Sequence, residues 1–84
     1  MKKVEFYSAN WCPFCMRAKA LLDARGIEYE EVNVDEIPGF REKLVEMTGR
    51  MTVPQIIIDG NPVGGYDDIA ALDRAGELLP LVQD

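Results

Sequence analysis

The chain has 84 residues, a net charge of −6 and no histidine. That length supports one small domain over residues 1–84, burying about 60% of its unfolded surface. An acidic chain with no basic stripe tells against nucleic acid and anionic membrane as partners, and the missing histidine excludes Ser-His and Cys-His nucleophile pairs and any histidine-containing zinc site.

The N-terminal segment Met1–Glu5 leads straight into a strand pattern with no apolar leader run, so the expected compartment is the cytoplasm. No stretch approaches the roughly 20 apolar residues of a membrane span. Lys3–Ser8 alternates as a strand, with Val4, Phe6 and Ser8 on one side and Lys3, Glu5 and Tyr7 on the other. Pro13 suits the first turn of a helix, where a missing N–H costs nothing. Phe14, Ala18, Leu21 and Leu22 follow at helical spacing, and Gly26 is the expected stop. Ile27–Val34 reads as a second strand with Tyr29, Val32 and Val34 inward. A second helix begins near Pro38 and ends before Gly49, burying Ile37, Phe40, Leu44 and Met47. Gln55–Ile58 suits a buried strand. Asp59-Gly60 turns the chain into Asn61–Gly64, a short hairpin partner confined to an edge by Pro62. Asp67 is the expected N-cap of a third helix over Asp68–Ala75, with Gly76 as its stop. Leu78, Leu79, Leu81 and Val82 give the tail enough apolar surface to dock as a final turn or helix. The order β-α-β-α-β-β-α predicts a four-stranded mixed sheet with helices on both faces.

The only two cysteines lie together in Trp11-Cys12-Pro13-Phe14-Cys15, between the first strand and the first helix. Backbone N–H groups and the helix dipole favour negative charge there, which lowers a thiol pKa from about 8.5 toward roughly 3.5–7.5. A second thiol one turn further on completes the minimal kit for thiol–disulfide exchange. A structural disulfide fits poorly, because so short a loop gains little entropy and a cytosolic chain seldom keeps one. Zinc would need four ligands, which two cysteines supply only between subunits. A redox pair is the reading favoured by this spacing after a strand.

Cys12-Pro13-Phe14-Cys15 after the first strand, Thr52-Val53-Pro54 before the third, and Gly64-Gly65-Tyr66-Asp67-Asp68 before the third helix resemble the glutaredoxin family over nearly the whole chain. The order of the motifs, the length and the tail Leu72–Leu78 are most similar to the dithiol, bacterial glutaredoxin 3 type. The resemblance implies an α/β thioredoxin fold and an enzyme, a glutathione-disulfide oxidoreductase. It implies Cys12 as the exposed nucleophile, Cys15 as the partly buried resolving thiol, and a cis Val53–Pro54 bond that sets the Val53 backbone beside Cys12. No bound cofactor or metal is implied; glutathione is the co-substrate. Disulfide-containing or glutathionylated proteins would be the other partners, with ribonucleotide reductase among the compatible ones. Nothing demands more than a monomer. Family potentials of about −200 to −230 mV would place the chain in exchange with cytosolic glutathione.

Physical reasoning agrees with the implied contacts to glutathione. The Val53 backbone suits pairing with an extended peptide. The N–H groups around Tyr66–Asp68 suit a carboxylate, Gly64 and Gly65 allow close approach, and Asp68 suits an ammonium. Plain helix capping is the competing reading of Asp67 and Asp68. Arg41, Thr52, Val53, Pro54, Gly65, Tyr66, Asp67 and Asp68 are thus the implied glutathione contacts, with Trp11, Pro13 and Phe14 in support. Where the family often has a cation three residues before its first cysteine, this chain has Ala9. Arg41 on the second helix is the expected substitute, with Arg17 and Lys19 nearby. Phe14 replaces the commoner tyrosine. Trp11 would cover the disulfide, stack on substrate or pack at the rim. Two alternatives stay open: an electron donor fed by thioredoxin reductase, and an iron–sulfur carrier with a glutathione-ligated cluster. Pro13 tells against the second, because cluster-holding relatives usually have a small residue there.

Overall fold

The computed structural model describes all of residues 1–84. Its elements are β1 (Val4–Ser8), α1 (Pro13–Ala24), β2 (Glu30–Asn33), a 3-10 turn (Val34–Glu36), α2 (Phe40–Thr48), β3 (Gln55–Ile58), β4 (Asn61–Gly64), α3 (Tyr66–Arg74) and α4 (Leu78–Val82). The strands form one mixed sheet in the order β2-β1-β3-β4. β1 runs parallel to β2 and antiparallel to β3, and β4 pairs antiparallel with β3. This is the thioredoxin-like arrangement expected from the sequence.

The sheet separates two unequal cores. One gathers 11 buried residues, including Phe6 and Ile56 of the sheet, Ala18 and Leu22 of α1, Ile69 of α3, and Leu78 and Val82 of the tail. The other holds four, Tyr7, Val34, Leu44 and Ile57, closed by α2. Coverage on both faces explains why every residue of β3 is buried and why its sequence is a continuous run rather than an alternation. It also shows the alternation of β1 at work: Val4 and Phe6 enter the larger core, while Tyr7, on the side of Lys3 and Glu5, is buried in the smaller one, stacked on Phe40 with ring centroids 5.6 Å apart.

Several boundaries move for local reasons. β2 begins at Glu30 rather than Ile27. The Ile27 N–H bonds to the Leu22 carbonyl at 2.9 Å, so Ile27 is occupied in closing α1 while its side chain still enters the core. α2 starts at Phe40, after Gly39 in the left-handed region, and this leaves Ile37 43% exposed instead of buried. Met47 is half-buried and Met51 exposed. α3 starts at Tyr66, and its N-cap is Gly65 rather than Asp67. The tail docks as expected, with Leu78 and Val82 inward and Leu79 and Leu81 at the surface.

Candidate active site

β1 ends at Ser8, and the chain turns sharply through Trp11, whose φ of 55° lies in the left-handed region. Such a conformation is uncommon for a residue with a side chain. Side-chain bonds from the end of β2 and the 3-10 turn after it pin the turn. The Asn10 N–H donates to Asp35 at 2.9 Å, and Asn33 Nδ2 donates to Asn10 Oδ1 at 2.8 Å. The Asn10 amide first, and Arg41 second, hold the Asp35 carboxyl below the ordinary carboxylate range. Trp11 itself is 99% exposed.

This turn delivers Cys12 to the N-cap of α1, where its sulfur accepts the Cys15 N–H at 3.1 Å. Sulfur here occupies the position that a serine or aspartate oxygen fills in an ordinary cap. Pro13 stands in the first turn of the helix. Cys12 and Cys15 are joined in a disulfide, with Cα atoms 5.1 Å apart. Cys12 is partly exposed, whereas Cys15 is only 5% exposed and belongs to the larger core. The pair is therefore asymmetric: one sulfur can be approached from solvent and the other is shielded behind it.

The Val53–Pro54 peptide bond is cis. The Val53 carbonyl oxygen lies 3.8 Å from Cys12 Sγ. Beyond it runs an open groove of about 280 Å³ lined by Phe14, Arg50, Thr52, Val53, Pro54, Gln55, Gly65, Tyr66, Asp67 and Asp68. Phe14 and Tyr66 form one wall, their rings 6.3 Å apart, and Arg17 lies over the Phe14 ring at 5.3 Å. At the start of α3 the Gly65 N–H donates to Asp68 Oδ2 at 2.9 Å, and the first backbone N–H groups of the helix that follow have no partner within it. Asp67 is exposed in the same turn. A second, smaller depression, lined by Ser8, Ala9, Trp11, Cys12, Cys15, Met16, Lys19 and Glu31, flanks the cysteines. Lys19 is not loose there. It pairs with Glu31 at 2.8 Å, and this contact, aided by the Ser8 hydroxyl, pulls the Glu31 carboxyl below its usual range.

Of the residues singled out in the sequence, Phe14, Thr52, Val53, Pro54, Gly65, Tyr66, Asp67 and Asp68 line this groove, with Cys12 beside Val53. Arg41 does not line it; its guanidinium pairs with Asp35 at 3.1 Å. Two further groove residues lacked any motif signal. Arg50 lies two positions before Thr52 and pairs with Asp68 at 3.2 Å. Gln55 follows Pro54, is buried, and donates to the Thr52 hydroxyl at 3.2 Å, while its own carbonyl oxygen takes no bond from the chain. Position beside Thr52–Pro54 was the only hint of either. No group of three or more side chains is arranged to hold a metal ion.

Comparison with known proteins agrees with this geometry. The glutaredoxin family model matches residues 4–63. Glutaredoxin 3 of Escherichia coli (strain K12) is 46% identical over 83 residues, covering 99% of this chain and 100% of that protein. The crystal structure of a buckwheat glutaredoxin–glutathione complex superposes with a TM-score of 0.89 at 30% identity, over 96% of this chain and 76% of that one. The solution structure of glutaredoxin from Brucella melitensis gives 0.87 at 43% identity, over 98% and 89%. With its cysteine pair at the helix start and these relatives along its whole length, the chain belongs to the glutaredoxin family of thiol–disulfide oxidoreductases.

Proposed function

We propose that this glutaredoxin reduces glutathione mixed disulfides and protein disulfides with glutathione as its electron source. The observation that carries the reading is the groove that begins where Cys12 Sγ meets the Val53 carbonyl, 3.8 Å away, and ends at the first turn of α3. Its volume of about 280 Å³ and its lining, from Thr52–Pro54 to the first turn of α3, suit a short peptide joined through its own sulfur. The free Val53 backbone can pair with that peptide as an added strand does, and the helix N–H groups can take a carboxylate. The buckwheat relative is described as a complex with glutathione.

In the proposed cycle the Cys12 thiolate attacks the glutathione sulfur of a mixed disulfide, and the substrate thiolate leaves. A second glutathione thiolate then attacks the glutathione sulfur on Cys12, releasing glutathione disulfide and regenerating the Cys12 thiolate. With a protein disulfide, Cys15 instead attacks the substrate–Cys12 bond. This frees the second substrate thiol and leaves the Cys12–Cys15 disulfide for two glutathiones to reduce. The Cys15 N–H that caps Cys12 stabilises the Cys12 thiolate, as the attacking group in the first step and as the leaving group when the second glutathione removes glutathione from it. A reducing compartment, the cytoplasm, suits the cycle, and no helix is long and apolar enough to cross a membrane.

Two assays test the proposal. Turnover is expected with glutathione, glutathione reductase and NADPH, and none with thioredoxin reductase; the reverse result would replace glutathione as donor. Cys12→Ser should abolish all activity, whereas Cys15→Ser should keep reduction of glutathione mixed disulfides and lose that of protein disulfides. A Cys12→Ser protein that still turned over would sink the mechanism.

A further inference from the structure

Arg50 is the only cation lining this groove, and it pairs with Asp68, which shares the first turn of α3 with a second groove carboxylate, Asp67. Its Nη1 lies 3.2 Å from Asp68 Oδ2, the same oxygen that accepts the Gly65 N–H. Both side chains remain substantially exposed, at 55% and 43%. An exposed ion pair of this kind contributes little stability and exchanges partners readily. The charges set a selection rule. A ligand carboxylate arriving alone at this helix start would meet two acidic side chains. A ligand ammonium arriving alone at Asp68 would displace Arg50 and leave it unpaired. A ligand end bearing both charges on one carbon can exchange with the pair without leaving any charge unmatched. Its ammonium goes to Asp68, and its carboxylate to the helix N–H groups and the released guanidinium, whose planar fork suits a carboxylate.

We propose that Arg50 and Asp68 form an exchangeable clamp that reads the zwitterionic α-amino-acid end of a γ-glutamyl peptide, making Arg50 a specificity-determining residue of this glutaredoxin. The proposal rests on glutathione as substrate and adds that the free Arg50–Asp68 pair discriminates against ligands that lack either charge.

The test uses the pre-reduced full-length protein, without free glutathione, in single-turnover reduction of one cysteine peptide. That peptide is disulfide-linked in turn to glutathione, to glutaryl-cysteinylglycine, which lacks the ammonium, and to γ-aminobutyryl-cysteinylglycine, which lacks the carboxylate. The native protein should prefer glutathione to each analogue by about tenfold or more. Arg50→Gln should collapse the preference over the γ-aminobutyryl analogue to within about threefold and leave the preference over the glutaryl analogue intact. Asp68→Asn, which keeps an oxygen for the Gly65 N–H, should do the reverse. Thermal midpoints of both variants check that the fold is unchanged. Equal slowing of all three substrates by Arg50→Gln would reduce Arg50 to a structural part and overturn the clamp. So would faster reduction of all three with unchanged ratios, which would make Arg50 a simple block on Asp68. A native protein that reduces none of the three would overturn the glutathione reading and the clamp with it, whereas a native preference that survives Arg50→Gln overturns the clamp alone.

Discussion

Tyr7 carries its phenol into the smaller core, where the hydroxyl donates to Glu5 at 2.7 Å. Burial first, then this bond and the nearby carboxylate charge, push its pKa up to about 12. The folded protein therefore holds the Tyr7 proton more tightly than the unfolded chain, whose tyrosine titrates near 10. The associated stability is fully present below about pH 10 and lost as pH rises toward 12. Denaturant titrations between pH 9 and 12 should show a loss on the order of 1–3 kcal/mol from Tyr7, so that the loss in Tyr7→Phe is smaller by that amount. A second single-residue prediction concerns Ala9, which borders the same depression as Cys12. With no cation there, activation of Cys12 falls to the helix start. Ala9→Lys should lower the Cys12 thiol pKa by about half a unit to one unit, read from the pH dependence of alkylation of the reduced protein. No change would mean that backbone N–H groups already set the thiol's acidity.

Between β4 and α3 the chain relies on Gly64, which has φ of 112° and whose missing Cβ would overlap the Asp68 carboxylate. Gly64→Ala should cost about 1–3 kcal/mol through backbone strain alone, and it should also push Asp68 off the Gly65 N–H. Chemical denaturation checks the first effect, and a weaker KM for glutathione mixed disulfides the second. The identity of this turn was legible as Gly64-Gly65-Tyr66-Asp67-Asp68, but its capping was not. A sequence pattern favours an acidic residue ahead of the helix, whereas here Asp68 reaches back from inside the first turn to the backbone of Gly65. The cysteine pair was legible for a better reason, because Pro13 and the strand before it fix the helix start within a residue. Arg50 was illegible because an exposed arginine in a loop gains meaning only from the carboxylate opposite, 18 residues away in sequence. The start of β2 was misread because the apolar Ile27 serves both as core residue and as the closing residue of α1.

At the scale of the molecule, one short tail completes the larger core. Leu78 is 1% exposed in the cluster that also holds Cys15, Phe6 and Leu22. Leu78→Ala should cost about 2–5 kcal/mol, a large share of what so short a chain can have, and lower the thermal midpoint by about 8–40 °C. The activity per folded molecule at room temperature should stay near normal, because the tail packs on α3 and lines neither the groove nor the depression beside the cysteines. The inequality of the two cores has a kinetic meaning as well. Opening α2 exposes a cluster of four buried residues, whereas lifting α1, α3 and α4 exposes one of 11. Local openings therefore begin on the α2 side. In amide hydrogen exchange the Phe40–Thr48 helix should trade its protons for deuterons before β1, β3 and α1 do. The protein would breathe on the side that leads into Arg50 and Thr52 while the helix under the cysteines stays closed.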